Sequence, residues 1–239
     1  MDQMNQIKYF ECDEMDYRSK EAYKALRTNI QFCGNEIKVI TITSCTPNEG
    51  KSSISFNLAV SFAEAGKRVI LIDADMRKSV LIGRYKVGEV ECGMSHYLSG
   101  QRDLNDVIYS TTYENMDIIF SGSYSPNPAE LLGHDRFKDM IMILREVYDY
   151  VIIDTPPLGA VIDSAIVAKI SDGAIMVVEV NAISYRFAQN IKEQLERSGC
   201  RILGAIMNKI PVENSGYYHK YYRKYYRYYG KYYEHTSMN

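Results

Sequence analysis

The feature that most constrains this chain is a Gly-Lys-Ser sequence at residues 50–52, placed between a β-branched run and an amphipathic stretch. Residues 37–43 are mostly apolar and β-branched, a pattern typical of a buried strand. Ile54, Leu58 and Phe62 then recur every four residues, which predicts a helix lying on a sheet. Because the N–H groups at a helix N-terminus attract anions, this order of strand, loop and helix predicts a phosphate-binding loop.

The residue types in the loop suggest how a nucleotide would be held. Lys51 would reach the terminal phosphates, and the Ser52 hydroxyl would coordinate the Mg²⁺ that ATP carries. Cys45 stands where the usual Walker A pattern, Gly-x₄-Gly-Lys-Ser/Thr, has its first glycine, so a plain Gly-Lys turn stays open as an alternative. The predicted nucleotide-binding residues of the loop are Asn48, Glu49, Gly50, Lys51, Ser52 and Ser53.

Acidic residues follow two further strand-like runs. Residues 68–72 lead into Asp73 and Asp75, and residues 150–153 lead into Asp154. The carboxyl ends of parallel strands line the ligand crevice of doubly wound sheets, where carboxylates can hold Mg²⁺ or accept a proton. Together with the loop, these strand ends predict a nucleotide site.

The rest of the chain completes an alternating pattern. Residues 173–178 and 201–207 predict two more strands, and between them apolar residues at intervals of four, from Ile183 to Leu195, predict a helix. The alternation predicts an α/β fold with a doubly wound, mostly parallel sheet of the P-loop NTPase type. Asn208 follows the last strand, where it would hydrogen-bond the nucleotide base or simply belong to a turn.

Composition narrows the functional classes. The 239 residues carry a net charge of −2, which argues against a nucleic-acid partner. No apolar run approaches the ~18 residues that span a bilayer, and the N-terminus is polar, so we expect a soluble chain in the cytoplasm. An odd number of cysteines without a Cys-x-x-Cys pair predicts neither disulfides nor structural zinc; they are Cys12, Cys33, Cys45, Cys92 and Cys200.

The C-terminal stretch 217–233 contains ten of the 21 tyrosines together with five Lys or Arg residues. It has no aliphatic residues and no helical periodicity, which predicts a flexible, low-complexity tail. A sticky aromatic tail, or a segment for single-stranded nucleic acid or lipid headgroups, stays open. Because the chain also has a predicted ATP site, the tyrosine hydroxyls suggest that the chain phosphorylates its own kind. Each phosphate would add about −1.5 to −2 charges to the tail. The candidate acceptors are Tyr217, Tyr218, Tyr221, Tyr222, Tyr225, Tyr226, Tyr228, Tyr229, Tyr232 and Tyr233.

The phosphate loop, residues 70–77, residues 151–157 and the tyrosine cluster together resemble the bacterial tyrosine kinases (BY-kinases). The narrower resemblance is to the separate cytoplasmic kinase subunit of capsular and exopolysaccharide systems. It implies an N-terminal segment with a self-association helix (1–36), a P-loop kinase core (37–212) and a tyrosine-cluster tail (213–239). It also implies ATP-dependent autophosphorylation of the tail in trans, which regulates polysaccharide synthesis and export.

The resemblance implies a role for each site residue. Lys51 would hold the β- and γ-phosphates, and Ser52 with Asp154 would organise Mg²⁺. Asp73 would be the base toward the acceptor tyrosine, and Asp75 would support the metal and the site geometry. A transmembrane chain-length regulator would recruit the kinase to the inner face of the membrane and activate it, and a cognate phosphotyrosine phosphatase would reverse the reaction.

The resemblance also assigns residues in the predicted helix 19–32 to a ring-like homo-oligomer. Periodicity alone favours a solvated, salt-bridged face for Glu21, Lys24 and Arg27, whereas the family's Glu-x-x-Arg-x-x-Arg motif for self-association falls on these residues. Lys24 departs from that motif, and lysine lacks the planar fork of arginine.

Three loop positions also differ from related families. Asn48 replaces a glycine, and because asparagine tolerates a left-handed backbone we expect the loop to form. Ser125 replaces a proline. Thr46 stands where septum-positioning and plasmid-partition ATPases carry an extra lysine, which favours the kinase. A localisation ATPase without a protein acceptor and a catalytically weak scaffold are the alternatives, and the intact Asp73 and Asp75 argue against the scaffold.

Overall fold

The computed structural model describes residues 5–7 and 15–211. In these residues the chain forms eight strands, β1 (Asn5–Gln6), β2 (Val39–Ser44), β3 (Val69–Asp73), β4 (Tyr109–Ser110), β5 (Met116–Ile119), β6 (Tyr150–Asp154), β7 (Gly173–Glu179) and β8 (Ile202–Asn208). The helices are α1 (Tyr17–Phe32), α2 (Lys51–Glu64), α3 (Leu81–Arg84), α4 (Met94–Leu98), α5 (Leu104–Val107), α6 (Pro128–Gly133), α7 (Asp135–Val147), α8 (Asp163–Ala168) and α9 (Tyr185–Glu196). The tyrosine cluster lies outside the described residues.

The strands form one sheet in the order β1-β4-β5-β3-β6-β2-β7-β8. All neighbouring pairs are parallel except β4 and β5. The predicted doubly wound, mostly parallel α/β fold is therefore confirmed. In the register between β3 and β6, Asp73 lies opposite Asp154, so the sheet itself brings the two acidic strand ends together.

The core occupies both faces of the sheet. Every residue of β2 and β3 is buried, as expected for central parallel strands covered by helices on both sides. On one face, α1 packs through Ile30 and α2 through residues such as Phe56, and on the other face α7 packs through Phe137 and Leu144. Burial of each such side chain stabilises the fold by roughly 1.5–3 kcal/mol. The strand ends therefore extend from a well-packed core.

The predicted elements differ from the observed ones mainly at their ends. The first helix begins at Tyr17 rather than Ser19, because Asp16 caps it by accepting a 2.7 Å hydrogen bond from the Ser19 N–H. Helix α7, residues 135–147, was not predicted, although its buried positions follow a helical period. Within the described ranges, no helix is both long enough and apolar enough to cross a membrane.

Candidate active site

The loop between β2 and α2 is held in shape by a buried carboxylate. Glu49, which is 1% exposed, accepts hydrogen bonds from the N–H groups of Thr46, at 2.8 Å, and Glu179, at 3.3 Å. Asn48 and Gly50 adopt positive φ angles of 68° and 93°. Asparagine at residue 48 therefore supports the left-handed backbone, as the sequence led us to expect.

Asn208 braces the same loop from the end of β8. Its side-chain amide donates a 2.8 Å hydrogen bond to the Glu49 carbonyl. A Cβ atom on Gly50 would lie 2.2 Å from that amide nitrogen, so glycine is required there both by its backbone angle and by the close approach of Asn208. The structure thus brings Asn208 to the loop, and its contact with a nucleotide base stays a prediction.

Lys51 begins α2 and lies between two carboxylates. Its Nζ donates a 3.2 Å hydrogen bond to Asp75 Oδ2 and is 3.9 Å from Asp154 Oδ2. It also lies 3.3 Å from the Ser52 hydroxyl. Sequence-distant residues from α2, the loop after β3 and the end of β6 therefore form one cluster, as the strand-end argument predicted.

The residues that follow β3 form a tight turn. Asp73 Oδ1 accepts a 3.2 Å hydrogen bond from the Asp75 N–H, and Asp73 Oδ2 accepts one from the Ser79 hydroxyl. Asp75 Oδ1 accepts a 3.0 Å bond from the Lys78 N–H. Both carboxylates are therefore oriented by their own turn, with Asp75 Oδ2 left facing Lys51.

Burial and charge shift the protonation of this cluster. Burial, assisted by the Asp154 charge, raises the pKa of Asp73 to about 7. Burial also raises the pKa of Asp154, against the opposing charge of Lys51. Burial alone would lower the pKa of Lys51, but the Asp154 and Asp75 carboxylates outweigh it and the net shift is upward. The lysine is therefore cationic, while Asp73 can change charge near neutral pH.

One carboxylate oxygen in the cluster accepts no hydrogen bond from the described residues and can therefore coordinate a cation. Asp154 Oδ1 accepts a 3.2 Å hydrogen bond from the Ser55 hydroxyl, whereas Asp154 Oδ2 is buried without a hydrogen-bond partner in the described part of the chain. An unsatisfied carboxylate oxygen beside the Ser52 hydroxyl is a donor set that Mg²⁺ accepts. Among residues 5–7 and 15–211, no three His, Cys, Asp or Glu side chains are grouped so that they could hold a metal by themselves.

The sequence analysis missed four residues of the site. None of their side chains was assigned a role there. Ser55 and Ser79 contact the two strand-end acids. Arg84 from α3 donates to the Ser53 hydroxyl in the first turn of α2. Asp163, at the start of α8, forms a two-point contact with Arg77. Arg77 itself lies in the stretch 70–77 that the sequence analysis quoted, whereas the four missed residues lie outside every quoted motif.

The predicted self-association residues make different contacts within one chain. Lys24 and Glu21 form an exposed 2.7 Å ion pair. Arg27 instead donates to the Ser61 backbone carbonyl and, at 3.3 Å, to the Ser61 hydroxyl on α2. Glu21 and Lys24 are thus available at the surface, while Arg27 attaches α1 to the core.

The fold and the loop have clear counterparts. The AAA domain family matches residues 37–200. Tyrosine-protein kinase CpsD of Streptococcus pneumoniae serotype 4 is 44% identical over 200 residues, which cover 84% of this chain and 88% of that protein. Tyrosine-protein kinase etk of Escherichia coli strain K12 is 34% identical over 206 residues, which cover 85% of this chain and 28% of that longer protein.

A solved structure agrees with the sequence matches. The kinase domain of Escherichia coli tyrosine kinase ETK has a TM-score of 0.78 and 35% identity, and the match covers 82% of this chain and 77% of that structure. The match thus extends over most of both chains, beyond the segment around the loop. With a nucleotide-binding P-loop fold and kinase relatives that match it over most of its length, the chain belongs to the bacterial tyrosine-protein kinase family.

Proposed function

We propose that this kinase transfers the γ-phosphoryl group of ATP to tyrosines in the tail of another copy of the chain, and that this reaction regulates capsular or exopolysaccharide synthesis. The observation that carries the proposal is the cluster in which Lys51, at the start of α2, lies between Asp75 and Asp154. A cation at a helix N-terminus next to strand-end carboxylates suits a Mg²⁺-bound polyphosphate.

In the proposed reaction, Lys51 leaves the carboxylates to contact the β- and γ-phosphates, and the loop residues 48–53 surround the phosphate chain. Ser52, Asp75 and Asp154 would hold Mg²⁺, which would neutralise phosphate charge. Asn208 would keep the loop in shape and border the base. Most of the rate enhancement would come from positioning and charge neutralisation, as is usual for phosphoryl transfer.

Asp73 would accept the proton of the attacking tyrosine. A tyrosine hydroxyl has a pKa near 10, and burial raises the pKa of Asp73 to about 7, which makes its carboxylate a stronger base than an ordinary aspartate. The smaller difference in pKa favours proton transfer late in the reaction. The Ser79 hydroxyl and the Asp75 N–H would keep the carboxylate oriented toward the acceptor.

The proposal extends to assembly and partners. Residues 1–36 would mediate a ring-like homo-oligomer through Glu21, Lys24 and Arg27, residues 37–212 would form the kinase core, and residues 213–239 would carry the acceptors. The longer relative etk supports a membrane-linked partner, because much of that protein lies outside the match. We expect a transmembrane chain-length regulator to recruit this cytoplasmic chain to the membrane and activate it, and a phosphatase to reverse the modification.

The decisive test is the intact mass of the chain after co-expression with its membrane partner, beside a Lys51→Ala copy prepared identically. A series of phosphate additions on the tail that disappears in the Lys51→Ala chain is the expected result. An unmodified wild-type chain, with the partner shown to be bound, would contradict the proposal. It would favour the alternative, a localisation ATPase without a protein acceptor, which ATP turnover would then reveal.

A further inference from the structure

Among the residues that the structure describes, the most deeply buried charge apart from Lys51, Asp75 and Asp154 is Asp163, the first residue of α8. Its side chain is fully buried, and a lone carboxylate in such a place would cost several kcal/mol. Both of its oxygens are instead occupied by Arg77, with Nε to Oδ2 at 2.8 Å and Nη2 to Oδ1 at 3.0 Å. This is the planar, two-point contact that arginine makes and lysine does not.

The contact joins two parts of the site that are far apart in the sequence. Arg77 lies in the turn that carries Asp75, and Asp163 follows the segment that leaves β6 at Asp154. At the beginning of the turn, the Ala74 N–H donates to the Asp154 carbonyl at 2.8 Å, so the turn is attached to β6 there. At the end of the turn, the contact of Arg77 with Asp163 attaches it to α8.

We propose that Asp163 is a positioning residue that, through Arg77, keeps the turn of Asp73 and Asp75 in place for phosphoryl transfer. This inference rests on the proposed function of the same site. The Arg77–Asp163 pair is neutral as a whole, so its effect on the electrostatic field at the γ-phosphate is small. Its effect is on distance, since Asp75 Oδ2 must stay near Lys51 and Asp154.

Loss of the contact should therefore reduce catalysis more than binding. The phosphate loop, the Asn208 brace and Glu49 do not involve Arg77, so nucleotide affinity should change little. The reacting groups, however, need to stay within about 0.5 Å of the productive geometry, and a displacement of about 1 Å can cost on the order of a hundredfold in rate.

The test compares Arg77→Lys and Asp163→Asn with a matched control, Arg145→Lys. Arg145 also pairs with an aspartate, Asp172, but through a single nitrogen. Asp172 accepts from the Lys38 and Val39 N–H groups at the start of β2, at the opposite end of the strands. For each full-length chain with its partner, kcat and KM for ATP would be measured by phosphotyrosine formation and by ADP release, together with the Kd for ADP and the melting temperature.

We expect kcat to fall about tenfold or more in Arg77→Lys and Asp163→Asn, with KM and Kd within about threefold of wild type. Arg145→Lys should lower the melting temperature but keep kcat. If Asp163→Asn does not fold, Arg77→Lys decides alone, because its side chain is 38% exposed and it keeps the positive charge. A wild-type kcat in Arg77→Lys, or an equal loss in Arg145→Lys, would overturn the inference.

Failure of the proposed function would be visible separately. A wild-type chain that releases ADP but forms no phosphotyrosine would reject the tyrosine acceptor. The same variants would then be compared by ADP release alone, where a tenfold loss in Arg77→Lys still supports the positioning role and an unchanged rate still overturns it.

Discussion

At the scale of single residues, the site is dominated by carboxylates that the fold buries side by side. Asp73 and Asp154 are each 1% exposed, and the register of β3 and β6 places them opposite each other. Two like charges so close together, and removed from water, favour a protonated form of one of them. The ionised forms of Asp73 and Asp154 therefore destabilise the fold, and a bound cation would reduce this cost.

The raised pKa of Asp73 predicts how stability depends on pH in Mg²⁺-free protein. Because the pKa rises from 3.8 in the unfolded chain to about 7 in the fold, the folded state binds more protons between these values and loses stability as pH rises through them. Asp73→Asn removes the titrating group. We expect the variant to be more stable than wild type above pH 7 and to lose this advantage toward pH 4.

Urea unfolding in EDTA at several pH values measures this effect. Asp139→Asn, at an exposed position of α7, is the control, and it should follow the wild type at every pH. A stability difference between Asp73→Asn and wild type that does not change with pH would contradict the assignment.

At the scale of elements, the junction of β2 and α2 is where we expect the phosphates of a nucleotide to bind. Gly50 precedes α2 with a φ of 93°, and the Asn208 side chain fills the space beside it. Helix α1 is attached to the same helix by Arg27 and Ser61. The N-terminal helix is therefore linked to the element that carries Lys51, so an event that moves α1 could reach the site through α2.

Gly50→Ala should weaken nucleotide binding while the fold survives. The substitution strains a left-handed backbone by roughly 1–2 kcal/mol, and its Cβ would also approach Asn208 to 2.2 Å, which displaces the loop. We expect the Kd for ADP, measured by calorimetry, to rise about tenfold or more.

Gly66→Ala is the control for a loss of stability without a change at the loop. Gly66 also has a positive φ, 75°, but no atom lies within 4 Å of the added Cβ. Its substitution should cost about 1–2 kcal/mol in the free energy of unfolding and leave the Kd for ADP unchanged. Equal losses of ADP binding in the two variants would show that a general loss of stability, and not the change at the loop, weakens binding.

At the scale of the whole molecule, the proposed acceptors and the proposed site need not belong to the same copy. The described fold ends with β8 and the three residues that follow it, and the tyrosine cluster begins shortly afterwards in the sequence. A tail offered to a neighbour's site would couple phosphorylation to self-association through α1, where Lys24 is exposed and Glu21 is partly exposed.

Mixing two full-length variants, one without a working site and one without acceptors, tests phosphorylation in trans. One carries Lys51→Ala with an intact tail, and the other carries an intact core with all ten tail tyrosines changed to phenylalanine. We expect phosphate on the Lys51→Ala chain only when the second chain is present, because its own site lacks the lysine that we propose contacts the phosphates. Intact-mass measurement distinguishes the two chains. A Lys51→Ala chain that stays unmodified in the mixture, while the wild-type chain is modified alone, would indicate transfer within one copy.

The alternation of apolar strands and amphipathic helices, the loop at residues 45–50 and the acids at the strand ends could all be predicted from the sequence. Each of these depends on a local pattern, and parallel strand ends meet at one edge by topology. Only the tertiary structure decided that Arg77 pairs with Asp163, that Ser55 contacts Asp154 and that Arg27 contacts Ser61. These pairings join residues far apart in the chain, so they depend on register and packing, which no local pattern encodes.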